Sequence, residues 1–204
     1  MQKSNNNFFK RFFFFILLIV LTPVLIIEGI VSAAKKSKRK KEWKKFELEG
    51  QQLLLTKGIT DIDLMEGYMF EDYLRILLFY LGFKVSQTQK SRDYGADLIL
   101  IDPQTNKKII VQAKRYSKPV GSKAVQEIAT AQIHYKSDEA WVITNNIFTP
   151  QAEQLAKENN VRLIDRNELI EMYQSVANDL QRERQDGLLL NKSSSFQEKY
   201  PYYI

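Results

Sequence analysis

The sequence predicts an α/β fold: a mixed sheet flanked by helices on both faces, preceded by one N-terminal transmembrane helix. Two observations lead to this prediction. Over residues 59–173, short apolar runs alternate with helical patterns in the order helix, hairpin strands, helix, strand, helix, strand, helix, which is typical of a mixed sheet with helices packed against it. Nearer the N-terminus, a longer apolar run is followed by a dense basic block.

The apolar run covers residues 12–34, about the 20 residues that a membrane-spanning helix needs. The block KKSKRKK follows at once and holds six positive charges in seven residues. Because positive charge is retained on the cytoplasmic side of a membrane, we expect the rest of the chain to lie in the cytoplasm. The alternative is a signal peptide cleaved near Ala33, with secretion of the remainder, since small residues precede that point.

The basic block begins at Lys35 and ends at Lys45, and two partners suit it. Its position beside the predicted span favours contact with membrane lipid, and nucleic acid is the alternative. Residues 1–58 contain 12 Lys/Arg and 4 acids, whereas residues 59–172 contain 14 and 16. The excess positive charge of the chain therefore lies in the N-terminal segment, and the predicted folded domain is close to neutral.

The chain divides into four predicted segments. Residues 1–34 form the anchor, residues 35–58 a basic linker with an amphipathic helix over 42–57, residues 59–173 the folded domain, and residues 174–204 the end of the last helix with a loosely ordered tail. In the folded domain, Asp61 or Asp63 is expected to cap a helix that reaches Leu81. The further elements are strands starting at Phe83 and covering 97–101, 109–114, 140–144 and 161–164, and helices over 122–135, from Thr149 and Pro150, and from Asp165 with Glu168.

Three polar residues stand on or beside the two hairpin strands, where polar groups are costly unless something satisfies them. If the turn is centred between residues 104 and 105, Asp97 faces Gln112, and facing Cβ atoms lie about 4.5–5.5 Å apart. Lys114 points to the same side as Gln112, because side chains alternate along a strand. A carboxylate, an amide and an ammonium group are therefore expected on one patch. Each residue taken alone is more often a strand or surface residue.

This patch has the chemistry of a magnesium site. Mg²⁺ prefers oxygen ligands, keeps several waters and takes only one or two carboxylates from the protein. Asp97 and Gln112 can supply two ligands, and the backbone carbonyl of Ala113 a third. Glu71, at the edge of the apolar stripe of its helix, could reach the same ion through water. Lys114 could orient the attacking water and offset charge on a phosphate, as phosphodiester hydrolysis requires.

A local surplus of positive charge surrounds the second hairpin strand. The segment from Lys107 to Lys123 contains six Lys/Arg and no acid. Such residues suit contacts to DNA phosphates, which dominate affinity without reading sequence; the alternative is a solvated hairpin and loop. Apart from Lys114, the predicted DNA-binding residues are Lys107, Lys108, Arg115, Lys118 and Lys123.

At these residues the sequence resembles a known family. The runs MEGYMFEDYLRILLFYLGFKVSQTQKSRDYGADLIL, VQAKRYSKPVGSKAVQEI, WVITNNIFT and VRLIDRNEL resemble the Mrr-like catalytic domain of type IV restriction endonucleases, within the PD-(D/E)xK nuclease superfamily. The resemblance covers residues 59–173. It implies a restriction-endonuclease-like core that cleaves double-stranded DNA with Mg²⁺, for which Mn²⁺ can substitute.

The resemblance also implies a role for each candidate residue. Asp97 of DYGAD matches the metal-binding aspartate, Gln112 and Lys114 of QAK match the family's QxK pair, and Glu71 of MFED matches the acid on a helix. Gln replaces the Glu of the wider superfamily and supplies one less negative charge.

The expected function is a membrane-anchored, Mg²⁺-dependent DNA endonuclease facing the cytoplasm. One alternative is a catalytically inactive module that tethers DNA to the membrane. Another is a junction or repair nuclease of the same superfamily, which would share the site and differ in substrate shape. The sequence leaves open whether a homodimer forms to cut both strands.

Overall fold

The computed structural model describes residues 4–88 and 94–186 and divides the chain into two compact units, one ending at Glu47 and the next beginning at Leu48. Helix α1 (Ser4–Thr56) runs without interruption through the predicted anchor, linker and amphipathic helix. The helix predicted over 42–57 is present as the last part of α1, which begins earlier than predicted. No Gly or Pro stands between Lys35 and Lys45, and the Lys, Arg and Glu that fill this segment are good helix formers.

Membrane insertion of this region stays a prediction. Within the described part of the chain, no helix has both the length and the apolar content that a membrane span requires. The side chains of residues 4–26, which form most of the predicted anchor, lie outside the described set, as does the predicted tail from residue 187 onward.

The second unit is built on a five-stranded mixed sheet. Its strands lie side by side in chain order. Strands β1, β2 and β3 pair antiparallel, and β3, β4 and β5 pair parallel, which confirms the predicted mixed sheet. The strands are β1 (Lys84–Gln87), β2 (Leu98–Ile101), β3 (Lys108–Lys114), β4 (Glu139–Thr144) and β5 (Val161–Ile164).

Helices cover both faces of this sheet. Ile110 and Val142 share one buried cluster with α4 (Ser122–Tyr135) and α5 (Pro150–Asn159). Their neighbours along the strands, such as Val111 and Ile143, are also buried and point to the other face by alternation. Helices α3 (Gly67–Tyr80) and α6 (Arg166–Gln185), which contact the sheet and each other, cover that face. The site described below lies where β3 ends between these two layers.

Local signals in the sequence account for several helix boundaries. Thr149 caps α5 by accepting a hydrogen bond from the amide of Ala152 at 3.2 Å. Asp165 caps α6 by accepting from the amides of Asn167 and Glu168. A polar side chain just before a helix satisfies amides that have no partner inside the helix. These predicted starts are confirmed.

The start of α3 differs from the prediction. A short helix, α2 (Ile59–Ile62), comes first, and α3 begins only at Gly67. The carboxylate of Asp63 caps neither helix, because Arg166 donates to it twice, at 2.6 and 2.8 Å, and the side-chain amide of Asn145 donates at 2.8 Å. A partner 103 residues away thus replaces the local role that the sequence suggests.

This ion pair gives a prediction about stability and pH. The hydrogen bonds from Arg166 lower the pKa of Asp63 below its ordinary value of 3.8, although burial opposes the shift. Asp63 therefore stabilises the fold above its unfolded pKa, and this contribution is lost as pH falls through the lower folded pKa. We expect Asp63→Ala to cost about 1–2 kcal/mol at pH 7, around the lower limit for charged hydrogen bonds, because the side chain is 38% exposed and solvent screens its charge.

Denaturant unfolding of parent and variant at pH 7 and pH 3 measures this contribution. The difference between them should shrink at the lower pH. Asp179→Asn, which changes an exposed acid on α6, is the control and should alter stability by a few tenths of a kcal/mol at most. An Asp63→Ala variant as stable as the parent at pH 7 contradicts the prediction.

Candidate active site

Asp97 lies immediately before β2 and is tied to the backbone of β3. The two strands pair with Leu98 opposite Val111, which is the predicted register. The amide of Asp97 donates to the carbonyl of Val111 at 2.8 Å. Its carboxylate Oδ2 accepts from the amide of Ala113 at 2.7 Å. The partners in these two bonds, Val111 and Ala113, are the neighbours of Gln112 in β3, so Asp97 lies beside Gln112.

Gln112 has a buried polar side chain, and only one of its two polar groups, the NH₂, makes a hydrogen bond to a described residue. Its side chain amide Nε2 donates to Oε2 of Glu127 on α4 at 2.8 Å, and the residue is only 2% exposed. Its carbonyl oxygen Oε1 is buried and has no hydrogen-bond partner among the described residues. Leaving such an acceptor unsatisfied costs about 1–3 kcal/mol. An oxygen held in this state is a candidate ligand for a cation.

Lys114 meets the same carboxylate oxygen as Gln112. Its ammonium Nζ lies 3.2 Å from Oε2 of Glu127. The structure therefore brings Gln112 and Lys114 together, as predicted from the period of the strand, and places Asp97 beside them. It also adds Glu127, which was not among the predicted site residues. The cluster has two carboxylates, Asp97 and Glu127, and one ammonium group, Lys114. Its net negative charge favours binding of a cation.

Glu127 fixes which way the Gln112 amide faces. Burial raises the pKa of Glu127, but the hydrogen bonds from Gln112 and Lys114 outweigh it and leave the pKa below its ordinary value of 4.5. An ionised carboxylate can only accept hydrogen bonds. Gln112 must therefore present its NH₂ group to Glu127, and its oxygen must face away.

The loop before Asp97 packs directly against Glu127. Gly95 has a φ of +91°, which side chains with a Cβ rarely adopt. A Cβ added there would lie 3.2 Å from Cβ of Glu127 and 3.3 Å from its carbonyl oxygen. Glycine thus lets the loop that carries Asp97 approach the helix that carries Glu127.

A sequence signal for Glu127 does exist. It is the first acid after the six basic residues between Lys107 and Lys123, and it lies next to Ile128, which faces the core. A helix that crosses over between parallel strands packs on the sheet. Glu127, at the edge of the apolar stripe of α4, can therefore reach the strand face that carries Gln112.

Two predicted metal contacts remain predictions. Glu71 is partly buried on α3, a helix that contacts β1, β3 and α6, and its link to the metal through water is untested. At Ala113, the structure places the amide, and not the carbonyl, against Asp97. A role for the carbonyl of Ala113 as a third metal ligand also stays a prediction.

The predicted DNA-binding residues lie in separate places. Lys107 pairs with Glu139 at 2.9 Å, and Lys108 donates to the carbonyl of Tyr135 at 2.6 Å. Lys108 is the first residue of β3 and Lys107 precedes it, and six residues of strand, about 20 Å, separate Lys108 from Lys114. These two lysines therefore lie away from Lys114, and their contact with DNA stays a prediction.

The remaining three basic residues lie closer to the end of β3. Arg115 follows Lys114 directly, and Lys118 is exposed in the next loop. Lys123, 88% exposed, approaches Glu127 at 3.8 Å. Their contact with DNA stays a prediction.

The ligands available here fit a magnesium ion. In the described part of the chain, no three His, Cys, Asp or Glu residues gather in a way that could hold a metal. Mg²⁺ does not need such a group, because it takes one or two carboxylates and completes its shell with water and substrate oxygens. Asp97 and Oε1 of Gln112, which has no hydrogen-bond partner among the described residues, supply hard oxygen ligands of this kind.

Comparison with known proteins identifies a matching family and two similar solved structures. The family model of the Mrr catalytic domain, described as a restriction endonuclease, matches residues 62–173. The solved structure titled DNA modification-dependent restriction endonuclease AspBHI is 19% identical, with a TM-score of 0.48, and the match covers 70% of this chain and 40% of that one. A crystal structure of the protein of unknown function AF1548 is 17% identical, with a TM-score of 0.42, and the match covers 49% of this chain and 58% of that one.

None of the curated proteins matches this chain significantly. The family model spans more than half of the 204 residues and includes every member of the cluster, namely Asp97, Gln112, Lys114 and Glu127. The chain therefore belongs to the Mrr-type restriction endonuclease family, whose catalytic domain is a nuclease that acts on DNA.

Proposed function

We propose that the chain is a Mg²⁺-dependent DNA endonuclease that hydrolyses phosphodiester bonds at the end of β3. The observation that carries this proposal is the buried Oε1 of Gln112, which has no partner among the described residues and lies beside Asp97. Asp97 and Gln112 would hold the ion. When bound, Mg²⁺ activates a water as the nucleophile and offsets charge on the phosphate.

The residues of the chain have separate roles in this site. Asp97 is held in place by the amide of Ala113, so its position follows that of β3. Lys114 can donate hydrogen bonds to a phosphate oxygen while Glu127 fixes the position of its ammonium group. Groups oriented before substrate arrives lose little reorganisation energy during the reaction.

We further propose that residues 12–34 anchor the protein in the membrane, with the catalytic domain on the cytoplasmic side. The apolar run and the positive charges that follow it, from Lys35 to Lys45, support this. The basic block would contact anionic lipid. Alkaline extraction of cell membranes tests the anchor: an anchored chain stays with the lipid, whereas release of the whole population into the supernatant rejects it.

Cleavage of supercoiled plasmid by the full-length chain tests the nuclease proposal. We expect cutting with Mg²⁺ or Mn²⁺, none with EDTA, and a loss of at least about 100-fold in Asp97→Asn, which keeps an oxygen able to accept from Ala113. A nicked product indicates single-strand cutting, and a linear product indicates paired action by two copies. A strong preference for a four-way junction over a duplex would favour the repair alternative, whereas equal cutting of the two substrates would not.

Lack of cleavage under both metals, together with salt-sensitive DNA binding, would reject the nuclease and favour the inactive tethering module. The presence of Asp97, Gln112 and Lys114 in one place argues against that alternative, because DNA binding alone gives no reason to keep a buried, unsatisfied oxygen.

A further inference from the structure

A second polar site lies on the other side of β3 from Glu127. Side chains alternate along the strand, so Arg115 points away from the face that Lys114 shares with Glu127. Its guanidinium NH1 donates to the backbone carbonyl of Asp63 at 3.3 Å. Beside it is a cavity of about 400 Å³ whose lining includes Asp63, Arg115, Tyr116, Asn145, Asn146, Arg166 and the exposed Ser117.

Most of the groups around this cavity hold one another rigidly. Arg166 binds both oxygens of Asp63 and also donates to the carbonyl of Asn145 at 2.9 Å. The side chain oxygen of Asn145 accepts from the amide of Tyr116 at 2.9 Å. These bonds join the ends of β3 and β4 to the segment before α3 and to the start of α6. The cavity is therefore formed before any ligand arrives.

Arg115 is the group that these bonds leave incomplete. Its Nε is buried and has no acceptor among the described residues. An unsatisfied donor on a charged group is costly in the interior. The cavity also contains two guanidinium groups and one carboxylate, so its net charge is positive. A ligand with negatively charged oxygens would satisfy both the donor and the charge.

The position of the cavity indicates which anion this is. It lies at the carboxyl ends of parallel strands, where open α/β sheets bind ligands. Arg115 follows Lys114 in the chain, with Cα atoms about 3.8 Å apart. Resting on the nuclease proposed above, we infer that this cavity binds a backbone phosphate of the DNA next to the phosphate that is cut.

Salt-dependent binding of a DNA duplex in EDTA tests this inference without requiring cleavage. Arg115→Gln removes the unsatisfied donor, and Ser117→Glu adds a carboxylate to the lining of the cavity without removing any hydrogen bond described here. We expect each variant of the full-length chain to weaken binding and to lower the slope of log K against log salt by about 0.9, the contribution of one phosphate contact.

Two controls make the same changes of charge away from the cavity. Lys157→Gln and Gln151→Glu both lie on the exposed side of α5, and we expect them to bind with the slope of the parent. Circular dichroism and thermal unfolding establish that each variant is folded. If Arg115→Gln does not fold, Ser117→Glu alone decides the outcome.

Inorganic phosphate at constant ionic strength distinguishes a DNA phosphate from a free one. We expect it to raise the Tm of the parent but not of Arg115→Gln, and to compete with duplex. Protection by phosphate with unchanged duplex affinity and slope in both variants would mean a site for free phosphate, and would overturn the inference. The inference is also overturned if both variants keep the slope of the parent and phosphate does not change the Tm. If the parent fails to cut DNA but the two variants still lower the salt slope, the nuclease proposal is rejected and the phosphate site is kept.

Discussion

Lys114→Ala should slow Mg²⁺-dependent cleavage by about 10²–10⁴-fold, the usual effect of removing a group that acts on the transition state. The ammonium of Lys114 is only 3.2 Å from Glu127 and its side chain is 19% exposed, so it is positioned before substrate binds. Alanine removes the charge but none of the backbone bonds of β3. Single-turnover nicking of supercoiled plasmid, with enzyme in excess, measures the rate of the chemical step.

Lys157→Ala is the matched control, because it removes the same charge from the exposed surface of α5. It should cut within about threefold of the parent, since surface charges far from the site contribute little when salt screens them. If Lys114→Ala cuts as fast as this control while folding normally, Lys114 has no role in the reaction.

Glu127→Gln should raise the Mg²⁺ concentration needed for half-maximal cleavage by about 10–100-fold, as is typical when a partner of a metal ligand is changed. The carboxylate of Glu127 can only accept, so it holds the NH₂ of Gln112 and leaves Oε1 for the ion. A glutamine at this position can present either an oxygen or an NH₂ group. Where it presents the NH₂ group, the nitrogen of Gln112 turns toward the ion site, and the negative charge of Glu127 that favours a cation is lost in every orientation.

Titration of Mg²⁺ against both the cleavage rate and the Tm tests this expectation. Glu153→Gln, which neutralises an exposed acid on α5, should leave both midpoints unchanged. Glu127→Asp keeps the carboxylate on a shorter side chain, and its Mg²⁺ midpoints should lie between those of the parent and of Glu127→Gln. Equal Mg²⁺ midpoints for parent and Glu127→Gln would show that Glu127 does not set the orientation of the amide.

The parts of this fold that sequence reasoning predicted are those fixed by neighbouring residues. The span of α4, the caps at Thr149 and Asp165 and the pairing of β2 with β3 all depend on short stretches of chain. The turn between β2 and β3 sets their register, so Asp97 and Gln112 could be placed side by side before any coordinates were known.

The parts that it missed depend on distant partners. Asp63 has the appearance of a helix cap, but Arg166 occupies its carboxylate. Glu127 reaches Gln112 only because α4 folds back over β3, and helix periodicity alone cannot say which strand residue a helical side chain will meet. The uninterrupted course of α1 was missed for a different reason, because a change in composition at residue 35 suggested a boundary where helix propensity continues.

Because side chains alternate along an extended chain, residues close in sequence at the end of β3 serve two sides of the molecule. Gln112 and Lys114 meet Glu127, whereas Arg115 meets Asp63. Inserting one residue after Gln112 would exchange these sides, so that the lysine would point to the side of Asp63 and the arginine to the side of Glu127. We therefore expect relatives to show no insertions or deletions within this stretch of β3.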